Sequence, residues 1–157
     1  QRQLIIGDRM TGKTTMAIET VLNQKDKKVI CIYCCVGRSQ SALEDTVRWL
    51  RDKGALDYTV IVAASASTTS PQQYLAPYTA ASIGKFFMEQ GADVLVVFDD
   101  LTRHAWAYRQ ISLLLERLPG REAYPGDMFY VHAQLMERAA QLNNAKGGGS
   151  IDRKSVV

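Results

Sequence analysis

Gly7-Asp8-Arg9-Met10-Thr11-Gly12-Lys13-Thr14 is the stretch on which the reading of this chain turns. It runs glycine, four residues, glycine, lysine, threonine, with Thr15 behind it. The run Leu4-Ile5-Ile6 ahead of it is apolar, and Met16, Ala17, Thr20 and Val21 follow on one helical face. A strand, a glycine-rich turn and a helix N-terminus in that order make a cradle for phosphate. The glycines let backbone N–H groups curl around anionic oxygens. The helix start adds partial positive charge, and Lys13 reaches the phosphates as a compact cation. The Thr14 hydroxyl is a ligand for Mg²⁺. Gly7, Asp8, Arg9, Met10, Thr11, Gly12, Lys13, Thr14 and Thr15 are therefore the expected nucleotide-binding residues.

Such a cradle, the Walker A form of a P-loop, needs a carboxylate at a strand end to complete the metal site. Val94-Leu95-Val96-Val97-Phe98 followed by Asp99-Asp100 supplies it. Asp99 is the expected Mg²⁺ partner, through water. Asp100 either assists it or caps the helix that begins near Thr102. The cofactors implied are Mg²⁺ with ATP or ADP.

Working outward, residues 3–6, 29–36, 58–63 and 93–98 are short apolar runs rich in β-branched residues. They do not alternate with polar residues, which is the pattern of parallel strands covered on both faces. Helical periodicity is expected over 13–24, 39–53, 78–90, 102–118 and 127–144, with Gly54, Gly91 and Pro119-Gly120 as stops. Strand and helix alternation predicts an α/β doubly wound sheet. Residues 65–77, rich in Ser, Thr and Pro, read as an extended loop.

The 157 residues suit one domain. A net charge of +3, from 19 basic and 16 acidic residues mixed along the chain, does not favour a nucleic-acid partner. No aromatic row for stacking bases is seen, and Trp49 and Trp106 read as packing residues. No run of eighteen apolar residues occurs. Cys31, Cys34 and Cys35 read as reduced core residues, since ligands at metal spacing are missing. His104 and His132 read as structural or surface residues.

Further segments carry a resemblance. Gln73-Tyr74-Leu75-Ala76-Pro77-Tyr78, Asp99-Asp100-Leu101-Thr102, Ala107-Tyr108-Arg109-Gln110, Pro119-Gly120-Arg121-Glu122-Ala123-Tyr124-Pro125-Gly126-Asp127 and Glu137-Arg138-Ala139-Ala140 stand at family spacing. With the cradle, they resemble the alpha subunits of rotary F-type ATP synthases over residues 1 to about 150. The resemblance implies a RecA-like core, incomplete here on its C-terminal side. It also implies a ring of alternating alpha and catalytic beta subunits around a central shaft subunit, coupled to proton or sodium transport. The membrane is then reached only through the complex, on its cytoplasmic, matrix or stromal side. Family members of the alpha type bind Mg·ATP or Mg·ADP without rapid turnover. The family's arginine finger, barrel domain and helical C-terminal domain lie outside this chain, and residue 1 reads as an internal position of a longer protein.

Departures from the family matter. Met10 stands where Gln is usual, and Ala133-Gln134 where Ser-Arg is usual. Catalytic relatives place a Glu just after the glycine that here is Gly37. Arg38 occupies that position, and a guanidinium cannot serve as a base. Arg38 either touches the γ-phosphate or points to solvent. Arg109 and the Arg121–Glu122 pair are either subunit-interface contacts or solvated charges. Residues 151–157 do not look like the family's continuation, and the expected domain is 1–150 with this tail outside the fold. Two rival functions remain. An independent P-loop ATPase or kinase would need Asp100 or Glu44 as its base, and a RecA-like nucleic-acid motor would want basic central loops.

Overall fold

The computed structural model describes residues 1–157 as one parallel sheet with helices on both faces. The strands are β1 (Arg2–Ile5), β2 (Val29–Val36), β3 (Thr59–Ala64), β4 (Asp93–Asp99) and β5 (Ser150–Val156). Their order across the sheet is β1-β5-β4-β2-β3, and every pairing is parallel. The helices are α1 (Lys13–Leu22), α2 (Gln40–Asp52), α3 (Ser70–Glu89), α4 (Leu101–Leu114) and α5 (Met128–Glu137).

Period-two alternation in β2 divides the core. Ile32, Cys34 and Val36 face one side with Val94, Val96 and Phe98 of β4, under α3 and Leu135 of α5. Cys31, Tyr33 and Cys35 face the other side with Leu95 and Val97, under Ala17, Ile18 and Val21 of α1 and Leu50 of α2. Both faces are dry, which is why β2 and β4 read as unbroken apolar runs.

The three thiols are buried and unpaired. Burial pushes Cys31 up to about 12 and Cys35 up to about 11, the latter also through the nearby Asp99. Thiolate is the reactive form. A disulfide-exchange reagent is therefore expected to titrate no thiol in the native chain and three in urea. Rapid native labelling would contradict this core assignment.

Two expectations give way here. The loop expected over 65–77 ends at Ser70, where α3 begins. Thr69 and Gln72 form a capping box, with the Gln72 side chain accepting from the Thr69 backbone N–H at 3.1 Å. Pro71 sits in the first turn, where a missing N–H costs nothing. Small residues Ala76, Ala80, Ala81 and Gly84 then let α3 lie close on the sheet.

The tail set outside the fold is in fact β5, an interior strand. Its Ile151–Ser155 stretch pairs with β4 and its Arg153–Val156 stretch with β1. Residues 151–157 are thus part of the sheet, and β1 reaches the other strands only through them. The strand is polar where an interior strand is usually apolar: Ile151, Arg153 and Ser155 are all buried on its sequence-odd positions. Arg153 is 1% exposed, and none of its three guanidinium nitrogens has a hydrogen-bond partner.

Candidate functional site

The carboxyl ends of β2 and β4 and the turn between β1 and α1 surround an open cleft of about 460 Å³. Gly7, Asp8, Arg9, Met10, Lys13, Thr14, Arg38, Asp99, Asp100 and Trp106 line it. Open α/β sheets hold ligands at this end, outside the strand termini.

The turn is shaped by its own contacts. Gly12 adopts φ 86°, a left-handed conformation that favours glycine, and it starts α1. The Thr11 hydroxyl donates to the Asp8 carbonyl at 2.7 Å. The Lys13 ammonium folds onto the turn, donating to the Gly7 carbonyl and to the Asp8 carbonyl at 2.7 Å. Met10 and Thr15 are exposed. A phosphate entering this turn would meet a lysine held only by carbonyls, and a charge-assisted bond to an anion is the stronger contact.

Deeper in the cleft, three side chains converge on one carboxylate oxygen. Asp99 is 1% exposed, and its Oδ2 accepts from Thr14 Oγ1 at 3.0 Å, Tyr33 OH at 2.6 Å and Arg38 Nη1 at 2.7 Å. Arg38 Nη1 also donates to Thr14 Oγ1. Burial and the Asp99 charge both push the Tyr33 phenol up, so it stays a donor. Burial works most strongly against the Arg38 charge, but attraction to Asp99 and Tyr33, the hydrogen bond to Asp99 and the nearby Cys35 together make the net direction up. Gly37, at φ 64°, turns the chain so that Arg38 faces inward, and its carbonyl accepts from Arg103 Nη1 at 2.6 Å.

A hydroxyl and a carboxylate 3.0 Å apart beside a phosphate-sized turn are the oxygen donors that Mg²⁺ takes, with waters and phosphates completing its shell. The two oxygens are of the type that ion takes, but both are already engaged by Arg38 Nη1. No cluster of three or more His, Cys, Asp or Glu residues exists that could hold a metal by protein ligands alone.

Asp100 accepts from the Arg103 backbone N–H at 2.7 Å and caps α4. Glu44 accepts from Gln40 Nε2 at 3.1 Å on α2 and does not line the cleft. Arg38 does not extend free into solvent: Asp99 holds it at the wall of the cleft. Arg109 lies away from the cleft, its guanidinium 4.7 Å from the Tyr124 ring centre. Arg121 lines a separate apolar groove with Tyr124, Met128 and Phe129, and it forms no ion pair with Glu122. His104 is fully buried, bonded to His132 Nε2 at 3.2 Å and to the Tyr74 carbonyl at 3.1 Å. Sequence reasoning missed Tyr33, which looks like any other residue of an apolar strand.

A parallel sheet with a phosphate-type turn and a strand-end aspartate defines a RecA-like nucleotide-binding domain. Residues 1–157 match the model of the ATP synthase alpha/beta family, nucleotide-binding domain, and the chain belongs to that family. It is 57% identical over 157 residues to "ATP synthase subunit alpha" of Clostridium botulinum (strain Eklund 17B / Type B), covering 100% of this chain and 31% of that relative. Identity is 60% to the protein of the same name from Mycoplasmopsis synoviae (strain 53) and 59% to that from Staphylococcus aureus (strain JH9). In both cases the whole chain is covered, with 30% and 31% of the relative. The chain thus spans about a third of the length of these relatives. No helix is long and apolar enough to cross a membrane.

Proposed function

We propose that this chain is the nucleotide-binding portion of a non-catalytic, alpha-type subunit of an ion-translocating ATP synthase. Its role is to hold Mg·ATP or Mg·ADP within a ring made with catalytic beta subunits around a central shaft, coupled to proton or sodium transport. The complex sits peripherally on an energy-transducing membrane, on the cytoplasmic, matrix or stromal side. The reading is supported by identity to proteins named as alpha subunits. The single observation that carries its non-catalytic part is Arg38. Hydrolysis needs a group to orient and deprotonate water. The cleft offers at that position a permanent cation paired with Asp99.

In this reading Gly7 to Thr15 wrap the phosphates with backbone N–H groups. Lys13 releases the Gly7 and Asp8 carbonyls and turns to the phosphate oxygens. Thr14 and Asp99 are the oxygens that would hold Mg²⁺ were Arg38 to leave them, and the ion would supply charge neutralisation to the phosphates. Trp106, at the cleft wall, is the optical reporter.

A melt with and without Mg·ATP tests this. Ligand at a hundred times its dissociation constant is expected to add about 2.7 kcal/mol of stability, and Lys13→Ala to abolish that gain. Phosphate release by the same sample is expected to stay at the buffer background. Sustained turnover that Lys13→Ala removes would instead favour an independent ATPase.

A further inference from the structure

Arg38 does more than leave the site without a base. Its Nη1 donates to both Thr14 Oγ1 and Asp99 Oδ2, while Thr14 Oγ1 itself donates to Asp99 Oδ2. The hydroxyl's proton and a lone pair are both engaged, and the carboxylate oxygen already accepts three donors. A guanidinium therefore sits on the two oxygens that a divalent cation would use. It is covalently attached, 27% exposed, and paired with a carboxylate that is 1% exposed. Building the cation into the chain removes the entropy cost of recruiting one from solution.

We propose that Arg38 is a tethered cation that takes the place of Mg²⁺ between Thr14 and Asp99, so that nucleotide held at this cradle gains little from the metal. The inference rests on the cradle being a nucleotide site, and it concerns what neutralises Asp99 there. Metal coordination and the Arg38 contacts are mutually exclusive, since both need Thr14 Oγ1 and Asp99 Oδ2. Removing the guanidinium leaves a buried carboxylate without a counter-charge, which is costly, and a divalent cation is the natural replacement. Arg38 is a positioning residue: it acts on the metal site rather than on a reacting atom.

The test is nucleotide affinity with and without metal, read by titration calorimetry and Trp106 fluorescence on the 157-residue chain. ATP dissociation constants are compared in excess EDTA and in Mg²⁺ for the parent chain, Arg38→Gln and Arg38→Lys. The parent ratio is expected below about threefold and that of Arg38→Gln above about tenfold, a tenfold ratio being about 1.4 kcal/mol. Arg38→Lys keeps a cation on the tether and is expected to stay close to the parent. A second arm uses Mn²⁺ alone, followed by paramagnetic resonance: binding is expected in Arg38→Gln and not in the parent. A parent ratio of tenfold or more, or equal Mn²⁺ binding by parent and Arg38→Gln, overturns the proposal. Should ATP fail to bind the parent in either buffer, and Lys13→Ala behave identically, the cradle reading fails. The Mn²⁺ arm then still decides whether Arg38 stands in for a metal.

Discussion

Arg153→Leu is expected to stabilise the fold. The Arg153 guanidinium is buried in β5 with three unpaired nitrogens, and its only favourable polar partner is the Phe98 ring, 5.4 Å away. Burial, then repulsion from Arg138 and Arg2, pushes its pKa down to about 10, so it remains charged at neutral pH. An uncompensated buried charge is expensive, and apolar replacements of buried ionic groups commonly gain about 1–4 kcal/mol. Leucine is compatible with the adjoining surface, where Ile151 belongs to the same apolar cluster as Val96, Phe98 and Leu135. At about 2–4 °C per kcal/mol for a domain of this size, the melting midpoint should rise by several degrees. The measurement is a thermal melt of parent, Arg153→Leu and the control Lys154→Leu. Lys154 is only half-buried on the opposite side of the strand, and its replacement should shift the midpoint by less. A lower midpoint for Arg153→Leu than for the parent would show that the guanidinium is satisfied in solution.

Acid is expected to weaken the fold through His104. Burial first, then the neighbouring His132, pushes its pKa down from 6.5 to about 4, with the bond to the Tyr74 carbonyl opposing. His132 is shifted down by burial as well. The folded state therefore binds fewer protons than the unfolded one. Stability from the neutral pair is fully present above about pH 6.5 and is lost as pH falls towards about 4. A shift of this size corresponds to about 3 kcal/mol, titrating as a property of the pair. The structural cause is plain: His104 stacks on Tyr74 with ring centres 5.2 Å apart and touches α5 through His132, so a charge there has no water. Urea unfolding at pH 7 and pH 4.5 measures the loss, and His104→Gln should show a distinctly smaller difference between the two pH values. An equal difference in parent and variant would assign the acid sensitivity to carboxylates instead.

Local chemistry accounts for what was legible. The cradle could be read because each part of its role is sequential: glycine conformations, a lysine and a threonine at the start of α1. β2 and β4 could be read because both their faces are covered, which leaves unbroken apolar runs, and the half-buried edge strand β3 keeps the same β-branched composition. The start of α3 was present in the sequence as Thr69 and Gln72. It was masked by a Ser, Thr and Pro composition that suits a loop as well as a capped helix. β5 was not legible, because Asp152, Arg153 and Lys154 contradict the apolar rule for an interior parallel strand. Only pairing on both edges makes it one.

By itself the sequence determined a parallel α/β sheet, a phosphate-type turn at residues 7–15 and an aspartate at the end of a buried strand. Those are properties of short segments, set by periodicity and backbone freedom. Tertiary structure alone decided that Arg38 and Asp99, 61 positions apart, form one ion pair over the Thr14 hydroxyl. It alone decided that Tyr33 donates to the same carboxylate, and that Arg121 lies in a different groove. The physical reason is that a charge finds its partner by proximity in the folded chain. Proximity between strand ends follows from the order β1-β5-β4-β2-β3, which no local pattern encodes.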